Sequence, residues 1–288
     1  MDVGVGLPNS VPGTDANALI DWAGQAEKAG FSTLGTIGRL VYDSYEELVS
    51  LAAVAAVTSR IRLTTSVLLG PLHSNPVLLA KQAASLDRLS GGRFVLGMGL
   101  GGRGDDFEVS GIEMAGRGRR FDAQLETMKR VWRGEARGEA GVVGPAPTRS
   151  GGPELILGGS AAATFQRVAR FGDGWIMGGG TPEMFARAAP AVDAAWREAG
   201  REGRPRKLSL AYYALGDGAR RQADSYVHHY YGWLGEDVAD QIASIAATSP
   251  EMVADYVAAF GEAGCDELIF VPTASGPDQL DLLADAVR

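Results

Sequence analysis

Short runs of apolar and β-branched residues recur eight times along the chain, at 3–8, 32–37, 61–69, 93–98, 154–158, 174–178, 207–215 and 266–272. Between them lie stretches with apolar residues at helical spacing, at 14–30, 45–59, 76–90, 117–134, 160–172 and 182–200, a long one at 217–263 expected to hold two helices, and a last at 276–288. Strands that alternate with helices lie parallel, because a helix must carry the chain back to the starting edge before the next strand begins. Eight such units in 288 residues fit a closed (β/α)8 TIM barrel in a single domain, 1–288, better than an open doubly wound sheet.

Two segments exceed simple connections. Residues 135–153, GEARGEAGVVGPAPTRSGG, are rich in Gly and Pro and offer little to pack, so they are expected to form a surface loop insertion. Residues 217–248 insert an extra helix before the final strand. Barrel enzymes place their chemistry at the C-terminal ends of the strands, so the residues just past each strand are the ones to inspect.

Composition narrows the ligand. A net charge of −8 with no Lys/Arg cluster argues against a nucleic-acid partner. The single cysteine, Cys265, cannot form an internal disulfide or a Cys-based metal cluster, which fits a reducing, cytoplasmic setting. The start MDVGVGLP has no basic segment leading into an apolar run, and the best apolar stretch, 48–57, is too short to span a bilayer, so no membrane association is expected. The expected partner is a small molecule.

At the strand ends glycine dominates. RLSGGRFVLGMGLGG, 88–102, places Gly97, Gly99, Gly101 and Gly102 at the exit of the fourth strand, where bare backbone is expected to admit a flat or anionic ligand. It is not a dinucleotide fingerprint, since no helix is expected directly after it. At the fifth strand's exit, Gly158, Gly159 and Ser160 precede a helix whose free N–H groups, with the Ser160 and Thr164 hydroxyls, suit an anion; the other reading is an ordinary serine cap. Gly178, Gly179 and Gly180 leave the sixth strand the same way.

The blocks AEKAGFSTL, TSVLLGPLHSNPVLLAKQAASLDRLSGGRFVLGMGLGG, DDFEVSG, RGRRFDAQLETMKRVW, LILGGS and RFGDGWIMGG resemble the bacterial luciferase-like family of flavin and deazaflavin oxidoreductases. That resemblance implies a (β/α)8 barrel binding reduced FMN or coenzyme F420 at its C-terminal face, and a homodimer. By position it implies a backbone bulge supporting the cofactor ring at Ser66 and Val67, where many members hold a non-proline cis peptide. It likewise implies a strand-four exit at Gly97, Gly99 and Gly101, and a phosphate region at Gly158, Gly159, Ser160 and Thr164. The family's phosphate-holding arginine aligns with Leu100, with Arg103 displaced from it. The second strand's end, 36–40, carries no acid or base where many members place one. GPLHSNP, 70–76, is spaced from the bulge as in deazaflavin-dependent glucose-6-phosphate dehydrogenase, which favours F420; that enzyme's strand-four glutamate is missing, so its sugar substrate is not carried over.

Among side chains, His73 is the titratable group expected near the cofactor face, as a proton carrier or as a satisfied loop histidine. Arg39 suits a phosphate or carboxylate, or is a surface arginine. In SYVHHYYGWL, Tyr226, His229, Tyr230 and Trp233 recur at helical spacing and are expected to form one aromatic face, either over the barrel mouth as a substrate pocket or packed on the barrel wall. No metal site is expected, because His228 and His229 point apart on a helix. Asp105, Asp106 and Glu108 are read as a solvated turn beside Arg103. The leading function is hydride transfer between F420, or reduced FMN, and a small organic substrate. The alternatives are an FMN-dependent monooxygenase using O2 and a flavin-binding protein without turnover. A Schiff-base aldolase is disfavoured, since no lysine stands at the C-terminal end of an expected strand.

Overall fold

The computed structural model describes residues 1–288. The strands are β1 (Asp2–Gly6), β2 (Thr33–Thr36), β3 (Arg62–Thr65), β4 (Leu68–Leu69), β5 (Phe94–Gly99), β6 (Glu154–Gly158), β7 (Gly174–Met177), β8 (Arg206–Tyr213) and β9 (Glu267–Pro272). Every pairing is parallel, and the sheet closes because β5 pairs with both β3 and β4. β3 and β4 are therefore two halves of the one strand expected at 61–69, so the barrel has eight strands. They are interrupted at Ser66 and Val67, whose peptide bond is cis. Thr64 faces Val95 and Leu68 faces Met98, so four steps on one side are matched by three on the other. One extra residue is thus accommodated as a bulge.

The helices are α1 (Ala16–Ala29), α2 (Glu47–Ala55), α3 (Pro76–Leu89), α4 (Gly104–Val109), α5 (Arg117–Trp132), α6 (Ala162–Phe171), α7 (Pro182–Glu198), α8 (Ala219–Tyr231), α9 (Glu236–Ser244), α10 (Pro250–Glu262) and α11 (Asp278–Ala286). Their starts follow ordinary capping: Asp15, Asn75, Thr181 and Ser249 each accept from backbone N–H groups of the first turn. Two expectations change. The stretch 217–263 holds three helices rather than two, because Gly232 and Gly235, the latter at φ 92°, interrupt the helical run around a single 3-10 turn. A short helix, α4, also begins two residues after Gly102, where none was expected. The insertion at 135–153 is irregular apart from one 3-10 turn, as expected, and is tied down where the buried Asp87 carboxylate accepts from the Thr148 N–H and hydroxyl.

Side chains alternate across each strand. Phe94, Leu96, Met98, Leu155, Leu157, Trp175, Leu268 and Phe270 face outward and join the core under the helices. Val95, Ile156, Ile176, Leu208, Leu210, Ile269 and Val271 face inward, and their cluster runs on into Tyr226, Val227 and Tyr230 of α8 and Ala243 of α9. The inserted helices thus close the C-terminal mouth as an extension of the barrel interior.

Candidate functional site

The inward positions of β5 read Val95, Gly97, Gly99, so two side chains are missing from the barrel lining. What approaches these glycines is the protein itself. A Cβ on Gly97 would lie 1.9 Å from the Thr65 carbonyl oxygen, one on Gly99 would lie 2.7 Å from Val67 Cγ2, and one on Gly158 would lie 3.1 Å from Val67 Cγ1. The Thr65 hydroxyl also donates to the Gly97 carbonyl at 2.7 Å and accepts from the Gly97 N–H at 2.9 Å. Gly97 and Gly99 therefore seat the bulge from behind, and the bulge presents Ser66 and Val67 to the mouth.

Over the bulge lies a chamber of about 170 Å³. Ser66, Val67, Leu69, Gly101 and Gly102 form its floor and near wall, and Tyr212, Tyr230, Tyr231 and Trp233 form the far wall. The guanidinium of Arg103 projects among those aromatics, with Cζ 4.3 Å from the Tyr230 ring centre, 5.5 Å from Tyr231 and 5.3 Å from Trp233. Arg103 is only 8% exposed, makes no ion pair, and leaves Nη1 buried without a hydrogen-bond partner. A buried guanidinium without an acceptor is costly unless a ligand supplies one.

Arg39 sits behind this wall in a different condition. It pairs with Asp105 at 2.5 Å and donates to the Tyr230 carbonyl at 3.2 Å, so its charge is met by protein and only its Nε is left buried without a partner. The next residue corrects the reading of the acidic turn as solvated: Asp106 is fully buried, its Oδ1 accepting from the N–H groups of Leu40 and Val41 at 3.1 and 2.9 Å. Both carboxylates lie on α4 and fasten the loop after β2 across the mouth. That loop also covers a carboxyl absent from the sequence reading. Glu47, at the start of α2, is buried against Gly38, where a Cβ would lie 2.5 Å from its carboxyl carbon. Loss of hydration pushes its pKa up to about 7, with Glu46 and Asp106 adding to the effect.

The remaining expected residues separate. Tyr230 and Trp233 reach the chamber, although Trp233 does so from the 3-10 turn beyond α8. Tyr226 bonds Ser10 through its hydroxyl at 2.7 Å and, with the exposed His229, lines another groove. The expected single aromatic face is therefore divided between two surfaces. His73 lines neither; it sits in an outer groove against α5, its carbonyl accepting from Gln124, and burial pushes its pKa down. At the β6 exit Ser160 is exposed and is not the cap of α6, a position taken by Ala161 with no side-chain cap bond. Gly159 has φ 135°, and the buried Thr164 hydroxyl lies where its Cβ would be, at 2.8 Å. Tyr212, Tyr231 and Arg103, all in the chamber wall, were not singled out as site residues from the sequence.

A planar group bearing an anionic arm fits these residues: bulged backbone below, aromatic rings and an unanswered guanidinium above, and open backbone at 159–163 for the arm. The 170 Å³ chamber takes one end of such a group rather than the whole.

The chain is a closed parallel eight-stranded barrel whose third strand is bulged at Ser66 and Val67, with a chamber over that bulge at its C-terminal mouth. Residues 1–267 match the family model described as luciferase-like monooxygenase, and the chain belongs to that family. An uncharacterized protein of Mycobacterium tuberculosis, Rv0953c, is 34% identical over 206 residues, 68% of this chain and 72% of that one. Among solved structures, an F420-dependent secondary alcohol dehydrogenase in complex with an F420-acetone adduct superposes with a TM-score of 0.85 at 16% identity, covering 100% of this chain and 99% of that one. The oxygenating constituent of 3,6-diketocamphane monooxygenase from Pseudomonas putida, in complex with FMN, superposes at 0.76 with 19% identity, covering 100% and 97%. No helix is long and apolar enough to cross a membrane.

Proposed function

We propose that this protein is an oxidoreductase that moves a hydride between coenzyme F420, or reduced FMN, and a small uncharged organic substrate at the barrel mouth. The observation that carries the reading is the chamber over Ser66 and Val67 with the unpaired Arg103 guanidinium in its wall. The cofactor, when bound, supplies hydride chemistry that no side chain here can supply. The chain's own residues do the rest. The bulge, braced by Gly97, Gly99 and Gly158, offers a fixed backbone surface for a flat ring. Arg103 offers a charge-assisted donor to an anionic or carbonyl edge. Gly158, Gly159 and the open first turn of α6 offer backbone N–H groups to a phosphate. The aromatic wall excludes water from the ring.

Two features favour F420 over FMN: the GPLHSNP spacing after the bulge, and the likeness to the F420-dependent alcohol dehydrogenase. The family's description as monooxygenase favours a second reading, in which reduced FMN and O2 oxygenate the substrate. Cofactor preference separates the two, since a deazaflavin does not readily support oxygen chemistry. The test is fluorescence titration of the protein with F420 and, separately, FMN, in wild type and Arg103→Gln. F420 binding that weakens in the variant by about 10- to 100-fold, the range for losing a charged hydrogen bond, supports the proposal. A preference for FMN leaves hydride transfer and oxygenation to be separated by whether substrate turnover with reduced FMN requires O2, and binding of neither overturns both.

A further inference from the structure

A second chamber, of about 450 Å³, adjoins the first between the ends of β7 and β8 and the helix α9. The two share Gly178, Leu210, Tyr212 and Tyr231. Its lining is mostly apolar, with Met184, Leu210, Val238, Ile242 and Ile245, and contains no charged side chain. A charged ligand there would lose its hydration with nothing to answer it. The volume lies within the range of small-molecule sites, about 300–1,000 Å³.

The shared wall holds a pair of phenols. The hydroxyls of Tyr212 and Tyr231 lie 2.7 Å apart, and neither bonds any other protein group. Two hydroxyls bring two protons, and their mutual bond uses one, so the pair keeps one O–H free to donate. Burial pushes both phenols' pKa up, so both protons stay in place at ordinary pH. A part-buried donor that no protein group answers, on the wall of a chamber, offers a hydrogen bond to a ligand oxygen.

We infer that the second chamber holds the apolar body of an uncharged substrate carrying one carbonyl or hydroxyl oxygen, and that the Tyr212–Tyr231 pair donates a hydrogen bond to that oxygen. The inference rests on the proposed function, because an oxygen held at this wall brings its carbon to the chamber over Ser66 and Val67. The pair thereby sets specificity: it rewards an oxygen at the junction, while the chamber rejects carboxylates.

The test is equilibrium dialysis of the cofactor-free protein with three probes of similar size: 2-acetonaphthone, 2-ethylnaphthalene and 2-naphthoate. In the Arg103→Gln background, which removes the cation beside the junction, the ketone is expected to bind best and the carboxylate at least about tenfold more weakly, in line with its desolvation. Tyr212→Phe and Tyr231→Phe singly each leave one free O–H, so ketone affinity stays near wild type. The double variant has none and loses ketone affinity about five- to tenfold, one net hydrogen bond, while ethylnaphthalene binding is unchanged. Val238→Trp, at a partly exposed position on α9, fills the chamber and weakens ketone and hydrocarbon together. Ketone binding that ignores Val238→Trp overturns the placement. Ketone and hydrocarbon falling alike in the double phenylalanine variant overturns the hydrogen bond. Failure to bind F420 and FMN sinks the oxidoreductase reading with the chamber intact, whereas cofactor binding without ketone binding sinks the inference alone.

Discussion

Gly99→Ala measures how the bulge is held. An alanine Cβ at this position would lie 2.7 Å from Val67 Cγ2, well inside the roughly 3.5–4.0 Å at which two carbons attract. Forcing one methyl into a packed site costs about 1–3 kcal/mol. Replacing a strand glycine returns about 0.5–1 kcal/mol by limiting the unfolded chain. The expected net loss is about 1–2 kcal/mol. Val67→Ala removes the obstructing methyl, so in that background Gly99→Ala is expected to be neutral or slightly stabilising, a coupling of about 1–2 kcal/mol in a double-mutant cycle. Gly97→Ala supplies the contrast: its Cβ meets the Thr65 carbonyl oxygen, which no side-chain truncation removes. That variant stays destabilised in both backgrounds. Urea unfolding followed by circular dichroism reads all of these, provided the m-value is unchanged. Equal cost of Gly99→Ala with and without the valine would refute the claim that Val67 fills the space at Gly99, and rescue of Gly97→Ala by Val67→Ala would refute the claim that the Thr65 carbonyl fills the space at Gly97.

Two further predictions concern buried carboxyls. Glu47 has its pKa raised from 4.5 to about 7, chiefly by burial, so the folded state keeps a proton that the unfolded chain releases. Its contribution is fully present below pH 4.5 and fades as pH rises to about 7, by up to about 3 kcal/mol at roughly 1.4 kcal/mol per pH unit. Glu47→Gln should therefore gain stability over wild type by about that amount at pH 8 compared with pH 4; a difference that does not change with pH would contradict the burial. Asp106→Ala leaves the Leu40 and Val41 N–H groups without their acceptor and should cost about 2–4 kcal/mol, with faster hydrogen exchange at those two amides. Unchanged exchange there would show that Asp106 does not hold the loop.

The barrel was legible because parallel strands buried on both faces appear as apolar runs between turns, and all eight runs became strands with ends shifted by a residue or two. The glycines at 97 and 99 are legible as places of close approach, and the structure adds that Thr65 and Val67 are what approach them: a missing side chain reveals a close approach without revealing its partner. The bulge itself was reached through family resemblance, since nothing in TSVLL marks a break. Asp106 and Glu47 were missed for one reason. Acidic residues in a first helical turn are ordinarily solvated, and their burial depends on the loop after β2 folding over them, a contact between distant segments. Trp233 shows how an element can differ while a position holds: periodicity places it on a helix, while Gly232 and Gly235 put it on a turn that still reaches the mouth.

The two arginines at the mouth show why charge count alone misleads. Arg39 and Arg103 both lie against Tyr230, at 5.8 and 4.3 Å from its ring centre. Arg39 has Asp105, and its attraction to the ring adds to a neutralised pair. Arg103 has only ring faces, each worth about 0.5–2 kcal/mol, which orient a guanidinium without cancelling its charge or accepting its in-plane N–H bonds. Burial of such a group is tolerable when rings offset part of its desolvation and a ligand completes its hydrogen bonds. The aromatic wall thus keeps a positive charge available at the bulge. A carboxylate paired with Arg103 would quench it, and the nearby acidic residues on α4 do not pair with it: Asp105 holds Arg39, and Asp106 holds the backbone at Leu40 and Val41 through Oδ1 while its Oδ2 stays buried without a partner.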